Sequence, residues 1–113
     1  MKLDLKHLVM YAGASQDFNE IHYNFDVAKK AGFPRPIVHG MLTMALCIKE
    51  ALKHINAKPE NIKKVKARFI NPILLEEEIT FEVKEESQDK KIITVICKKE
   101  NGEIATECKV ELK

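Results

Sequence analysis

Between Gly40 and about Ile55 the chain reads as a helix whose first three turns (Met41, Leu42, Met44, Ala45, Leu46, Ile48) are apolar nearly all round. A helix apolar on every side cannot face water and must be wrapped by other structure. Its last turns carry Lys49, Glu50, Lys53 and His54 and return to solvent, where basic residues also suit the helix dipole. The wrapping comes next in the sequence. After Pro59 the apolar period changes to two, and Ile62 to Ile70, Ile79 to Glu85, Lys91 to Lys98 and Glu103 to Leu112 read as strands. Gln88-Asp89 and Asn101-Gly102 mark hairpin turns between them. Four antiparallel strands behind one buried helix predict an α+β domain with its sheet curled around that helix. A helix wrapped from one side keeps an open side, which predicts a homodimer or a higher homo-oligomer.

Ahead of this core lie shorter elements. Asp4 is placed to cap a helix running to about Ala12, with Gly13 breaking it. A second helix spans about Asn24 to Lys30, capped by Asn24 and stopped at Gly32. Phe33-Pro34-Arg35-Pro36 must be extended, because each proline disfavours helix in the residue before it. At 113 residues there is room for one core, so residues 1–113 are expected to form a single domain.

Composition removes several function classes. A net charge of +2, with Arg35 and Arg68 the only arginines among 19 basic residues, supports no nucleic-acid partner. No apolar run approaches the roughly 20 residues of a membrane span, and Met1 to Leu8 contains no signal-type apolar core. Cys47, Cys97 and Cys108 form no C-x-x-C pair and sit in apolar or alternating stretches, as reduced core thiols of a cytoplasmic protein would. His7 and His54 read as solvated. No Cys/His spacing suits a metal, and no glycine-rich phosphate loop is present, so neither a metal nor a cofactor is expected.

Two short runs concentrate the chemistry. Asp17-Phe18-Asn19-Glu20-Ile21-His22 places an acid, an amide and an imidazole within six positions. Five residues apart in one helix, Asp17 and His22 would diverge by about 140°. They converge only if Asp17 lies in a turn and His22 about one turn into the next element, with Asn19 beside His22. The competing reading is a capping-box arrangement of Asp17 with Glu20. The second run, Val38-His39-Gly40-Met41, opens the apolar helix without a capping side chain. Its free N–H groups and positive dipole end suit a polarised oxygen, although Gly40 could equally serve the loop-to-helix turn or close packing. His39 is read as an anchor for the loop, with a ligand or plain core residue as alternatives. Together these parts could move a proton at a carbon next to a carbonyl while holding the carbonyl oxygen.

Tyr11-Ala12-Gly13-Ala14-Ser15-Gln16-Asp17-Phe18-Asn19-Glu20-Ile21-His22 resembles the signature of the MaoC-like hydratases and dehydratases, which reads roughly Y-A-x-x-S-G-D-x-N-P-I-H. The likeness continues through Ala28, Gly32 and Ile37-Val38-His39-Gly40-Met41-Leu42-Thr43, and more loosely through Arg68-Phe69-Ile70-Asn71-Pro72-Ile73. The resemblance implies a hot-dog fold, usually dimeric, acting on a coenzyme A or acyl-carrier-protein thioester. The implied reaction is reversible hydration of a 2-enoyl thioester to an (R)-3-hydroxyacyl thioester. It assigns Asp17 and His22 to activating one water, Gly40 N–H to the thioester carbonyl and Asn19 to shaping the loop. His39 would adjoin the substrate site, and the acyl chain would lie near Met41 and Met44. The chain departs from the pattern at Gln16 and Glu20, which stand for glycine and proline, at Ala45 for a serine, and at Glu76-Glu77 for Gly-Asp. It also begins at the first helix, without the strand that commonly precedes it. Gln16 is thus expected to crowd the loop. These departures motivate an alternative, a non-catalytic acyl-thioester-binding or scaffold subunit; a thioesterase is the third reading.

Overall fold

The computed structural model describes residues 1–113. Three α-helices, α1 (Leu5–Ser15), α2 (Phe25–Lys30) and α3 (Gly40–Ile55), precede four strands, β1 (Ile62–Phe69), β2 (Ile79–Glu85), β3 (Ile92–Lys99) and β4 (Ile104–Leu112). The strands form one antiparallel sheet in the order β1-β4-β3-β2, packed on α3. This is the α+β, hot-dog arrangement expected from the sequence.

Strict alternation builds the interface. Ile93, Val95 and Cys97 of β3 and Cys108 and Val110 of β4 point inward with no exposed surface. Burial of each aliphatic side chain contributes about 1.5–3 kcal/mol. Across from them α3 presents Thr43, Cys47 and Ala51, spaced four apart on one face and small enough for close approach. The three cysteines are free and buried, as expected of core thiols. The wrapping of α3 is incomplete, however. Met41 is 59% exposed and Ala45 also faces solvent, because one curled sheet covers one side of a cylinder and α1 only part of the other.

Helix ends follow the backbone more than the expected breakers. In α1, Asp4 accepts from His7 N–H and His7 Nδ1 accepts from Asp4 N–H, so His7, solvated as expected, also completes a reciprocal cap. Gly13 does not end this helix. A glycine weakens a helix by about 1 kcal/mol but removes no hydrogen bond, and α1 runs on until Gln16 turns left-handed at φ 60°. Asn24 caps α2 by accepting from Asp26 and Val27, as expected.

Two features hold the site's frame. In β4, Ala105 bulges out of the ladder between Ile104 and Thr106, and its carbonyl accepts both Ile70 N–H (2.8 Å) and Asn71 N–H (3.2 Å). Residues 36–38 are tied on two sides: Ile37 N–H donates to Ile21, while Val38 N–H donates to Ile73 and Leu75 N–H to Pro36. The first residues lie along 76–79, where Leu3 accepts from Glu76 N–H and Met1 from Ile79 N–H, and Leu3 is buried.

Candidate active site

The sharp exit from α1 brings the early run together. After the left-handed turn at Gln16, Asp17 N–H donates to Ser15 Oγ, and Asp17 Oδ1 accepts from Asn19 N–H at 3.3 Å. A single 3₁₀ turn, Glu20–His22, then reverses the chain. Its cap is Asn19, whose Oδ1 accepts from Ile21 N–H at 3.2 Å. The capping pair read in sequence as Asp17 with Glu20 therefore does not form, and the Asp17 carboxylate keeps Oδ2 free of backbone partners. His22 ends that turn, buried, and its Nε2 lies 3.8 Å from Asp17 Oδ2, a carboxylate about half exposed.

The His22 ring is fixed from two directions. Nδ1–H donates to the Ile37 carbonyl at 2.8 Å, a partner that can only accept and so assigns the proton to Nδ1. In the neutral ring Nε2 is then the lone pair that faces the carboxylate. The His39 ring stacks on His22 at 3.7 Å between centroids and 20° between planes, and Tyr11 meets His39 edge-on at 4.8 Å. His39 is 1% exposed, behind His22, and its Nε2 donates to the Asp17 carbonyl at 3.4 Å. Burial, and then the neighbouring His22, hold its pKa below the ordinary histidine value, so the neutral ring is favoured. His39 thus holds the loop from beneath, while its Nδ1 is the one enclosed side-chain polar atom without a partner.

Asp17, His22 and His39 bring ligand atoms within 4.8 Å of one another, the arrangement a metal would need. Ring geometry works against one. A metal binds in the plane of each imidazole, and two nearly parallel planes 3.7 Å apart share no point about 2.1 Å from a nitrogen of each. The cluster suits proton chemistry between Nε2 and the carboxylate instead.

Directly after His39, α3 begins at Gly40 with no side-chain cap. The His39 carbonyl takes the N–H groups of Leu42 and Thr43, leaving those of Gly40 and Met41 unaccepted. Beside Gly40 lies a cavity of about 270 Å³, walled by Ile37, Phe69, Ile70, Pro72 and Ile73, with Thr43, Asn71 and Thr106 among its lining residues. A Cβ at Gly40 would stand 3.2 Å from Phe69 Cε1, so glycine keeps this wall open. Asp17 and His22 do not line the cavity; His39, preceding Gly40 in the chain, joins the two parts. Of the remaining candidates, Asn19 commits its amide oxygen to capping and Met41 stands at the surface. Phe69 and Thr106 were not singled out in the sequence. For Thr106 the signal was a hydroxyl at the alternating positions of β4 that Cys108 and Val110 continue.

A family model described as MaoC like domain matches residues 1–108. The (R)-specific enoyl-CoA hydratase of Aeromonas caviae is 32% identical over 87 residues, covering 75% of this chain and 65% of the relative. The peroxisomal enoyl-CoA hydratase 2 of Arabidopsis thaliana is 38% identical over 60 residues, which make up 52% of this chain. That stretch is only 19% of the Arabidopsis protein's length. Among solved structures, an (R)-hydratase from A. caviae involved in PHA biosynthesis superposes with a TM-score of 0.84 at 26% identity. The match covers 100% of this chain and 90% of that one. No helix is long and apolar enough to cross a membrane.

Proposed function

The chain belongs to the MaoC-like domain family, and from that membership and its site geometry we propose that it hydrates 2-enoyl thioesters reversibly to (R)-3-hydroxyacyl thioesters. The observation that carries this reading is the facing of His22 Nε2 and Asp17 Oδ2 across 3.8 Å, with Nδ1 committed to Ile37. One water bridging the two groups would give a proton to the Nε2 lone pair while its oxygen adds to C3 of the substrate. The electron pair of the double bond moves toward the thioester carbonyl, whose oxygen is received by Gly40 N–H at the positive end of α3. The proton is then delivered to C2, so that one water supplies both the hydroxyl and the hydrogen. Dehydration is the same path reversed. Positioned acid–base groups contribute about 10²–10⁴-fold and a carbonyl-oxygen donor about 10²–10³-fold.

The carrier is coenzyme A or an acyl-carrier protein. The relatives' names as an enoyl-CoA hydratase and an (R)-specific enoyl-CoA hydratase support the reaction class. Self-association into a homodimer or higher homo-oligomer belongs to the same proposal, supported by the uncovered apolar side of α3 at Met41 and Ala45. The test is hydration of crotonyl-CoA, followed by loss of enoyl absorbance with the 3-hydroxy product identified by mass spectrometry. Asp17→Asn and His22→Gln should each lower kcat by about 10²–10⁴-fold with the fold retained. Undiminished turnover in both variants would remove the pair from the mechanism.

A further inference from the structure

We propose that Thr106 contacts the substrate, its hydroxyl donating to the thioester carbonyl oxygen alongside Gly40 N–H. The inference rests on the hydratase reading and adds a residue to its site. Thr106 is 2% exposed and sits on the inward face of β4, in register with Phe69 of β1 and Cys97 of β3. The next inward positions on β4, Cys108 and Val110, are apolar. An unpaired hydroxyl placed in such a row weakens a fold unless something bonds it. No protein group takes the Thr106 hydroxyl, yet it is not sealed in, because the enclosed unpartnered side-chain atom is His39 Nδ1 alone. It therefore opens onto the cavity that Thr106 shares with Gly40.

The other polar side chains there are already engaged: Thr43 Oγ donates to the His39 carbonyl and Asn71 Nδ2 to the Ile104 carbonyl. The Gly40 N–H and the Thr106 hydroxyl are thus among the unspent donors there. No cation lines the cavity. A carboxylate or phosphate would lack a counter-charge, whereas a neutral carbonyl oxygen with apolar flanks matches two donors among Ile37, Phe69, Ile70, Pro72 and Ile73. Thr106 keeps the inward face by alternation with Cys108 and Val110, and the Ala105 bulge before it ties the 70–71 cavity wall through Ala105 O.

Thr106→Val, of equal shape, and Thr106→Ser, which keeps the hydroxyl, separate the roles. Thr106→Val should lose about tenfold in kcat/KM for crotonyl-CoA, the effect of one hydrogen bond, while Thr106→Ser stays within about threefold. Thr106→Val should also unfold in urea at the same concentration as wild type or higher. Wild-type kinetics in Thr106→Val would overturn the proposal, and so would a lower unfolding midpoint restored by Thr106→Ser, which would assign the hydroxyl to the fold. Should wild type turn over no enoyl thioester, the hydratase reading falls separately and calorimetry with butyryl-CoA decides for Thr106. Binding weakened about tenfold in Thr106→Val supports the contact; equal binding, or none by wild type, refutes it.

Discussion

Gly40→Ala adds one methyl group at the start of α3, and its surroundings set the outcome. The new Cβ would lie 3.2 Å from Cε1 and 3.3 Å from Cδ1 of Phe69, a few tenths of an ångström inside ordinary carbon–carbon contact of about 3.5–4.0 Å. Phe69 is 53% exposed, so its ring can yield without disturbing the core. Against that small strain, alanine is favoured over glycine in a helix by about 0.5–1 kcal/mol. Global stability should therefore change by less than about 1 kcal/mol in either direction, as read by urea unfolding. Activity should respond differently, because the methyl and the displaced ring both border the roughly 270 Å³ cavity. The N–H survives the substitution, so the loss should stay below that of deleting a donor: about 10–100-fold in kcat/KM for crotonyl-CoA, or about 1.4–2.7 kcal/mol of barrier. Wild-type kcat/KM in folded Gly40→Ala would refute the placement of substrate at that N–H. A loss of several kcal/mol in stability would refute the claim that Phe69 can move aside.

Two further perturbations probe the frame of the site. Gln16 and Glu76 hold left-handed backbone at φ 60° and 62° with exposed side chains; Gln16→Gly and Glu76→Gly should each raise the unfolding free energy by about 0.5–1 kcal/mol, strain of about 1–2 kcal/mol relieved less the entropy of a freer unfolded chain, and unchanged urea midpoints would show no strain there. His39, faced by the His22 ring, the Tyr11 edge and Asp17, has its pKa lowered chiefly by burial. The folded state therefore resists a proton that the unfolded chain accepts. Its contribution should be intact above the unfolded value of about 6.5 and be lost as pH falls below it, with a slope of at most about 1.4 kcal/mol per pH unit. Unfolding curves of wild type and His39→Gln from pH 8 to 5 should diverge below that point; parallel curves would remove His39 as the source.

Much of this fold could be read from local periodicity. The span of α3 was legible because three apolar turns beginning after His39 pass into a charged end over 16 residues, and the strands fell within a residue of their expected bounds because alternation fixes which face is inward. The site was legible only in part. That Asp17 had to lie in a turn came from 3.6 residues per turn, whereas the stacking of His22 on His39 joins positions 17 apart and is set by the Ile37 carbonyl, which no spacing announces. Thr106 reaches Gly40 through strand register, a relation between β4 and β1 rather than a pattern within either.

The departures from the family pattern change their meaning in three dimensions. Where the family signature has glycine at position 16, the requirement is a positive φ and not an absence of bulk: Gln16 meets it with its side chain in solvent, and Glu76 does the same before the buried Glu77–Lys99 ion pair. Gln16 therefore does not crowd the loop as expected. Glu20, in place of proline, opens the 3₁₀ turn that Asn19 caps, and the turn still delivers His22 to Asp17. The cost of these substitutions falls on backbone strain, which the glycine variants measure, and not on the facing of carboxylate and imidazole, which the Asp17 and His22 variants measure. If glycine at position 16 raised turnover instead of stability, this separation would fail and the silent-subunit reading would regain its motive.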